Sequence, residues 1–216
     1  MYYAVAKGRS PGIYNTWAEC SEQVKRFKGA KFKKFTTKEE AQNFITPKID
    51  NDFKADYYVY TDGGCVNNGR KNAEAGIGIY FGENDTRNIS ERISGKQTNN
   101  TAELKAIIKT LVMIQKDVDS GKKICIVSDS EYSIKCATTY GEKMEKNNWK
   151  KDIPNKKLVK EIYTLYKNIS NVRLKHIMAH TGKRDIHSIG NDGADKLANK
   201  AIGLDKCPYR SILDFI

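Results

Sequence analysis

The sequence predicts an α/β protein in two parts: a mixed five-stranded sheet flanked by helices, preceded by a small α+β domain of three antiparallel strands and two helices. Three observations lead there. Residues 57–202 run as a meander of short apolar strands and then alternate helix with strand. Residues 1–45 carry a shorter strand and helix pattern of their own, with two helix-start signals. Between them, residues 46–56 (TPKIDNDFKAD) are polar, contain Pro47 and lack apolar periodicity, as a linker does.

In the small part, residues 2–6 (YYAVA) read as a strand, residues 8–12 with Pro11 as a turn, and Ile13 with Tyr14 as the return strand. Thr16 followed by Glu19 fits a capping box, each side chain serving the other's backbone N–H, for a helix through about Phe27. Residues 31–35 (KFKKF) alternate as a third strand, and Thr37 with Glu40 opens a second helix to Ile45. In the larger part, residues 57–61 form a strand that ends at Asp62-Gly63-Gly64, residues 76–81 a second and residues 88–93 a third. Leu104, Ile107, Ile108, Leu111 and Ile114 recur with the period of an amphipathic helix over 102–118. Residues 123–128 are a short buried strand ending at Asp129, and helical segments follow around 132–140 and 156–167. Residues 172–178 make the last strand and residues 192–202 the closing helix.

Of the 216 residues, 39% are hydrophobic and 30% charged, a balance that fits a folded chain rather than a disordered one. Lys and Arg number 38 against 26 Asp and Glu, a formal net charge of +12. A field of that sign draws a polyanion, nucleic acid or an anionic lipid surface. Each part is basic in its own right, since residues 1–54 hold 11 basic and 6 acidic side chains. No apolar run approaches the roughly 20 residues that cross a bilayer, so no membrane partner is expected. The start, MYYAVAKGRSPG, has no basic stretch leading into an apolar core, so no secretory leader is expected. The five cysteines (Cys20, Cys65, Cys125, Cys136, Cys207) are scattered and show no CxxC pair, which reads as reduced thiols in a cytoplasmic protein.

Four carboxylates stand out by position. Asp62 and Asp129 each follow a short apolar strand, where open α/β sheets place their sites. Glu103 and Asp195 fall in the first turns expected for two helices. If the four ends meet, they form an oxygen-rich cage for Mg²⁺ or Mn²⁺, cations that take few carboxylates and keep positions open for phosphate and water. Two such ions about 4 Å apart can activate an attacking water and steady the leaving oxygen of a phosphodiester. Each residue also has an ordinary use: Asp62 in a turn, Glu103 in a capping box with Asn100, Asp129 as a cap, Asp195 answering a helix dipole. Spacing alone leaves both uses open.

The stretches YTDGG (60–64), TNNTAEL (98–104), VSDSEY (127–132), MAHTG (178–182) and GNDGADKLA (190–198) occur in the order found in type 1 ribonucleases H. They span residues 57–202, which resemble that family. The stretches AVAKGRSPGIYNTWAEC and RFKGAKFKKFTTKEEA, within residues 2–45, look like the hybrid-binding domain attached to many such enzymes. The resemblance implies a hybrid-binding domain at 1–45, a linker at 46–56 and a catalytic domain with the ribonuclease H-like sheet at 57–216. It implies a monomeric endonuclease that hydrolyses the RNA strand of RNA–DNA hybrids with two Mg²⁺ ions (or Mn²⁺), leaving 5′-phosphate and 3′-hydroxyl ends.

The same resemblance assigns residues. Asp62, Glu103, Asp129 and Asp195 would be the metal ligands, with Asp192 at the place of a supporting carboxylate. His180 matches a loop histidine that assists proton movement and product release, a task suited to an imidazole titrating near neutrality. His176 and His187 lack that position and read as structural or exposed. Asn68, Asn99 and Asn100 would reach the RNA strand, where an amide can both donate to and accept from a 2′-hydroxyl. Lys96, Thr98 and Asn155 match a pocket for a DNA phosphate; family members often have Arg at the first position, so Lys96 keeps the charge without the bidentate grip. Tyr132 and Tyr140 would meet the DNA backbone. Residues 143–160 hold seven lysines, Trp149 and only two acids, and resemble a basic protrusion that grips the hybrid. In the small domain, Tyr3, Trp17, Phe32, Lys33 and Lys34 would form a sequence-independent clamp.

Two other classes stay on the page. A DNA-acting nuclease of the same superfamily shares the acidic metal chemistry but usually lacks the TNNTAEL and MAHTG patterns. A non-catalytic hybrid or double-stranded RNA binding protein would be expected to lose at least one of the four carboxylates.

Overall fold

The computed structural model describes residues 1–45, 53–179 and 184–204. The chain divides into two compact units, Met1–Lys54 and Ala55–Ile216. The expected linker, residues 46–56, falls largely outside the described residues.

The first unit is a three-stranded antiparallel sheet, order β2-β1-β3, with two helices. Its elements are β1 Tyr2–Lys7, β2 Gly12–Tyr14, α1 Trp17–Val24, β3 Lys31–Phe35 and α2 Lys38–Ile45. Both capping boxes form: Glu19 N–H donates to Thr16 Oγ1 at 3.3 Å, and Glu40 N–H to Thr37 Oγ1 at 3.2 Å. Helix α1 stops at Val24, short of the expected Phe27, because Lys25 turns extended and Arg26 takes a left-handed φ of 59°. The chain must there reverse to reach β3. The core is small, Val5, Cys20 and Val24 with Tyr3 and Tyr14 packed around them.

The second unit holds a five-stranded sheet in the order β6-β5-β4-β7-β8. Strands β4 (Tyr57–Val66), β5 (Glu74–Tyr80) and β6 (Ile89–Arg92) form an antiparallel meander. Strands β7 (Ile124–Ser128) and β8 (Val172–His176) join it in parallel with β4. The helices are α3 Asn99–Met113, α4 Gln115–Asp119, α5 Glu131–Ala137, α6 Thr139–Lys146, α7 Lys156–Tyr166 and α8 Ile186–Ala201. Side chains along a strand alternate between faces. On β5, Ile77 and Ile79 join the main core with Leu104, Ile107 and Leu111 of α3, while Gly76 and Gly78 face α8.

Four sequence expectations shift. Strand β4 runs past Asp62 to Val66, so Asp62-Gly63-Gly64 is paired strand and not a turn; Gly63 pairs with Ile77 and Gly64 with Gly76. Helix α3 starts at Asn99 because Thr98 caps it in a box with Thr101, which puts Glu103 in the second turn. That helix ends at Met113 and α4 follows as a separate turn, just as a break at Thr138 splits α5 from α6. Helix α8 starts six residues before Asp192, where Asp185 accepts the N–H groups of His187 and Ser188, so Asp195 lies mid-helix. Gly190 had hidden that start by its low helix propensity.

A Cβ at Gly78 would lie 1.9 Å from the Ala194 carbonyl oxygen, so any side chain there pushes α8 off the sheet. Gly78→Ala is expected to lower stability by about 3 kcal/mol or more in urea unfolding, the upper range for overpacking. Gly69→Ala, strained at φ 84° but with open space around it, is expected to cost about 1 kcal/mol. Equal costs for the two would show that the approach of α8 is not the constraint.

Candidate metal and nucleic-acid site

Asp62 sits in β4 opposite Gly78 of β5, on the face that α8 covers. The next residue, Gly63, turns to the other face. A Cβ there would lie 2.3 Å from the Glu103 backbone nitrogen, so only glycine lets the start of α3 rest on the strand. Asp129 follows β7, whose Ser128 pairs with Thr61 beside Asp62. Asp195 comes across from α8. Asp62, Glu103, Asp129 and Asp195 line one cleft of about 640 Å³, and Asp192 of α8 is not among the described residues lining it.

Asp62, Glu103 and Asp129 each offer a carboxylate oxygen, all within 4.8 Å of one another, a grouping that can hold a metal ion. Asp195 acts on Asp62 as a neighbouring acid. Asp62 is 7% exposed and Glu103 5% exposed. Burial first, and then the charges of Asp129 and Asp195, hold the Asp62 carboxyl well above the ordinary carboxylate range. Burial first, and then Asp62 and Asp129, do the same to Glu103. Among the described residues Glu103 Oε2 is buried with no hydrogen-bond partner. A buried carboxylate oxygen without a donor is costly, and an all-oxygen donor set fits a hard divalent cation.

The surroundings hold residues that the motif reading passed over. Asn191 Nδ2 donates to Asp129 Oδ2 at 3.3 Å, and Asn199 Nδ2 donates to Asp195 Oδ1 at 3.0 Å. Their signal was in the sequence: Asn191, Asp195 and Asn199 recur every four residues, one polar stripe on a helix. His176 Nε2 lies 3.0 Å from the Asp129 carbonyl oxygen, and half-buried His187 lies between Tyr60 and Lys175. His180 lies outside the described residues.

The structure brings some nucleic-acid candidates together. Asn68 Oδ1 accepts the N–H of Asn99 at 3.3 Å, tying the β4–β5 loop to the first turn of α3, with Asn100 exposed beside it. Lys96 is exposed, and its carbonyl accepts from Thr101 Oγ1, next to the cap Thr98. Asn155 takes a left-handed φ of 57° and donates to the Tyr132 hydroxyl at 3.4 Å. Tyr140 is half-buried, and so is Trp149, whose ring sits 6.4 Å from Tyr163.

In the first unit, Tyr3, Trp17 and Phe32 form a row of rings with centroids 5.8 Å and 5.7 Å apart. Trp17 is 50% exposed and Phe32 43% exposed, so neither is a core residue. Lys34 Nζ stands 5.7 Å over the Tyr3 ring and Lys33 Nζ 5.3 Å over Phe35.

Because Asp62 and Glu103 are pushed upward, their ionisation works against the metal-free fold. The stability they lend is whole below the ordinary carboxylate range and is lost as pH rises through their raised values. Asp62→Asn, which removes one buried charge, is expected to raise the melting temperature in EDTA at pH 8, by about 2–4 °C per kcal/mol relieved, and to flatten the decline from pH 4 upward. A lower melting temperature in the variant at pH 8 would contradict that account.

The comparisons with known proteins cover both units. The RNase H family pattern matches residues 54–203, and the pattern described as the ribonuclease H1 N-terminal domain matches residues 1–45. Ribonuclease H1 of Mus musculus is 29% identical over 93% of this chain and 88% of its own. Ribonuclease H of Schizosaccharomyces pombe is 33% identical over 92% of this chain and 96% of its own. The solution structure of the PFV RNase H domain superposes with a TM-score of 0.55 at 23% identity, covering 67% of this chain and 93% of that one, a likeness of fold. With the carboxylates gathered at one cleft and both patterns matched along the chain, the protein belongs to the ribonuclease H family, in the arrangement that carries a ribonuclease H1 N-terminal domain.

Proposed function

We propose that this chain is an endonuclease that hydrolyses the RNA strand of RNA–DNA hybrids, leaving 5′-phosphate and 3′-hydroxyl ends. The observation that carries the reading is the convergence of Asp62, Glu103, Asp129 and Asp195 on one cleft, with a Glu103 oxygen buried and unpartnered. Two Mg²⁺ ions, or Mn²⁺, bound there supply Lewis-acid chemistry at the scissile phosphate. Asp62, Glu103 and Asp129 would hold one and Asp62 with Asp195 the other. His180 is assigned the proton on the leaving side, as its motif suggests.

Recognition falls to other residues. Asn68, Asn99 and Asn100 present amides and backbone groups for the 2′-hydroxyl edge, and the Asn68–Asn99 bond holds the two loops in register for it. Lys96, Thr98 and Asn155 serve a DNA phosphate, and Tyr132, Tyr140 and Trp149 its strand. The half-exposed ring row of the first unit, flanked by Lys33 and Lys34, offers stacking surface and charge without reading sequence.

Labelled RNA–DNA hybrid, RNA duplex and DNA duplex incubated with Mg²⁺ test the chemistry. RNA cleavage is expected in the hybrid alone. Asp62→Asn is expected to lower it by more than about 100-fold, beyond what losing a residue that merely supports a ligand costs. Equal cutting of DNA duplex would point to a DNA-acting nuclease, and hybrid binding without cleavage to a binding protein. For the first unit, Trp17→Ala in the full chain is expected to weaken hybrid binding by about 1.5–3 kcal/mol, the range for burying a large apolar side chain, here against DNA sugars, with the single-turnover rate at saturation unchanged. Unaltered affinity across a salt series would remove the ring row from the interface.

A further inference from the structure

Two buried amides are not used by the chemistry above, Asn199 in the lining of the cleft and Asn191 bonded to Asp129. Asn191 and Asn199 stand four residues on either side of Asp195, so one face of α8 presents all three. Asn191 is 2% exposed and Asn199 7% exposed. Asparagine inside a helix is unfavourable by propensity, and a buried amide is costly unless its hydrogen bonds are made. Two on one face therefore call for an interaction that offsets both costs.

Each finds it on a different carboxylate. Asn191 donates to Oδ2 of Asp129, a member of the three-oxygen group, and Asn199 donates to Oδ1 of Asp195, which lies outside that group. In each case the amide engages one carboxylate oxygen. The donors are neutral. A lysine or arginine in their place would satisfy the carboxylate with charge and compete with a cation, whereas an amide fixes the carboxylate's orientation and leaves its charge uncompensated. Asn191 Oδ1 is itself buried and unpartnered among the described residues, so its amide is held through the Asp129 contact alone.

We propose that Asn191 and Asn199 are positioning residues that set the divalent-cation affinity of the site, Asn191 through Asp129 and Asn199 through Asp195. The inference rests on the metal-dependent reading of the cleft given above. The two amides act on different ligand sets, so each tunes cation binding separately.

The test uses the full chain as wild type, Asn191→Leu, Asn199→Leu, Asn199→Ser and Asp62→Asn. Leucine keeps the volume and removes the donor; serine keeps a shorter donor and guards against a leucine variant that folds poorly. Free Mn²⁺ is counted by electron paramagnetic resonance without nucleic acid, and hybrid cleavage is titrated with Mg²⁺. Each leucine variant is expected to weaken Mn²⁺ binding and raise the half-saturating Mg²⁺ by about tenfold or more, the range for residues that orient metal ligands. KM for hybrid at saturating Mg²⁺ is expected to stay within about twofold, since substrate binding is untouched. Asn199→Ser is expected to fall between wild type and Asn199→Leu. Wild-type Mn²⁺ affinity in the variants, with rate or melting temperature lowered equally at every Mg²⁺ concentration, would make the amides structural and overturn the proposal. Mn²⁺ binding that is absent in wild type, or equal in Asp62→Asn, would instead overturn the metal-site reading beneath it.

Discussion

Helices α3 and α8 approach the sheet from opposite faces on either side of Asp62, and each does so where the sheet has no side chain. Gly63 receives the backbone at Glu103, and Gly78 receives the backbone at Ala194. Because Asp62 lies opposite Gly78 and immediately before Gly63, the same few atoms of β4 and β5 set the distance of both acid-bearing helices. A slip of one residue in the β4–β5 register would set Asp62 opposite Ile77 or Ile79 and so on their face of the sheet: either the carboxylate turns toward α3 or the isoleucines turn against α8. The cleft would lose its central carboxylate in the first case and the core its apolar face in the second. Fold specificity and site geometry are thus one constraint.

That constraint holds together groups that repel. Asp62 and Glu103 are nearly sealed from water and face further acids, so without a cation they retain protons that free carboxylates would lose. The cost is carried by the surrounding core. Val59, Ile124 and Ile126 from the sheet and Leu104, Ile107 and Leu111 from α3 are fully or almost fully buried, each side chain contributing about 1.5–3 kcal/mol. Leu104 adjoins Glu103 in sequence, so the helix that brings in a costly acid also inserts one of the large apolar anchors. A cation entering such a cluster must displace protons, which makes its affinity depend on pH.

Much of this was legible in the sequence because it is local. Residues 31–35 alternate, and they form β3; Thr16 with Glu19 and Thr37 with Glu40 signal their helices, and both boxes form. Two of the failures come from glycine. Read one by one, Gly63 and Gly64 look like a turn after Asp62, and Gly190 looks like the region before a helix. In the folded chain the pair is extended strand and Gly190 is inside α8, packing so tightly that a Cβ would lie 2.3 Å from the Tyr60 ring. Tertiary approach decided these positions, and no local propensity reports it. The gathering of Asp62, Glu103, Asp129 and Asp195 was illegible from spacing for the same reason: it depends on strand register and helix approach. Ordered motifs carried that inference where spacing could not.

A cleft lined by five acids, Glu131 besides the four of the site, repels a polyanion, yet the chain as a whole carries +12. The opposing charge must act from outside the cleft. Lysines are exposed at 96, 143, 146, 150 and 151 in the second unit and at 33 and 34 in the first. In the second unit those charges lie on loops and on α6, and in the first on β3, each set able to meet a phosphate backbone, while the acids are packed at one buried point, where they can act on a single phosphodiester. Attraction over the length of a duplex and repulsion at one point favour a ligand whose backbone spans the basic surface and presents one strand to the cleft. The chemistry requires only the acids and their cations. Which strand is cut depends on groups that tell a 2′-hydroxyl from a hydrogen, the role proposed for Asn68, which is bonded across to Asn99 of the cleft lining.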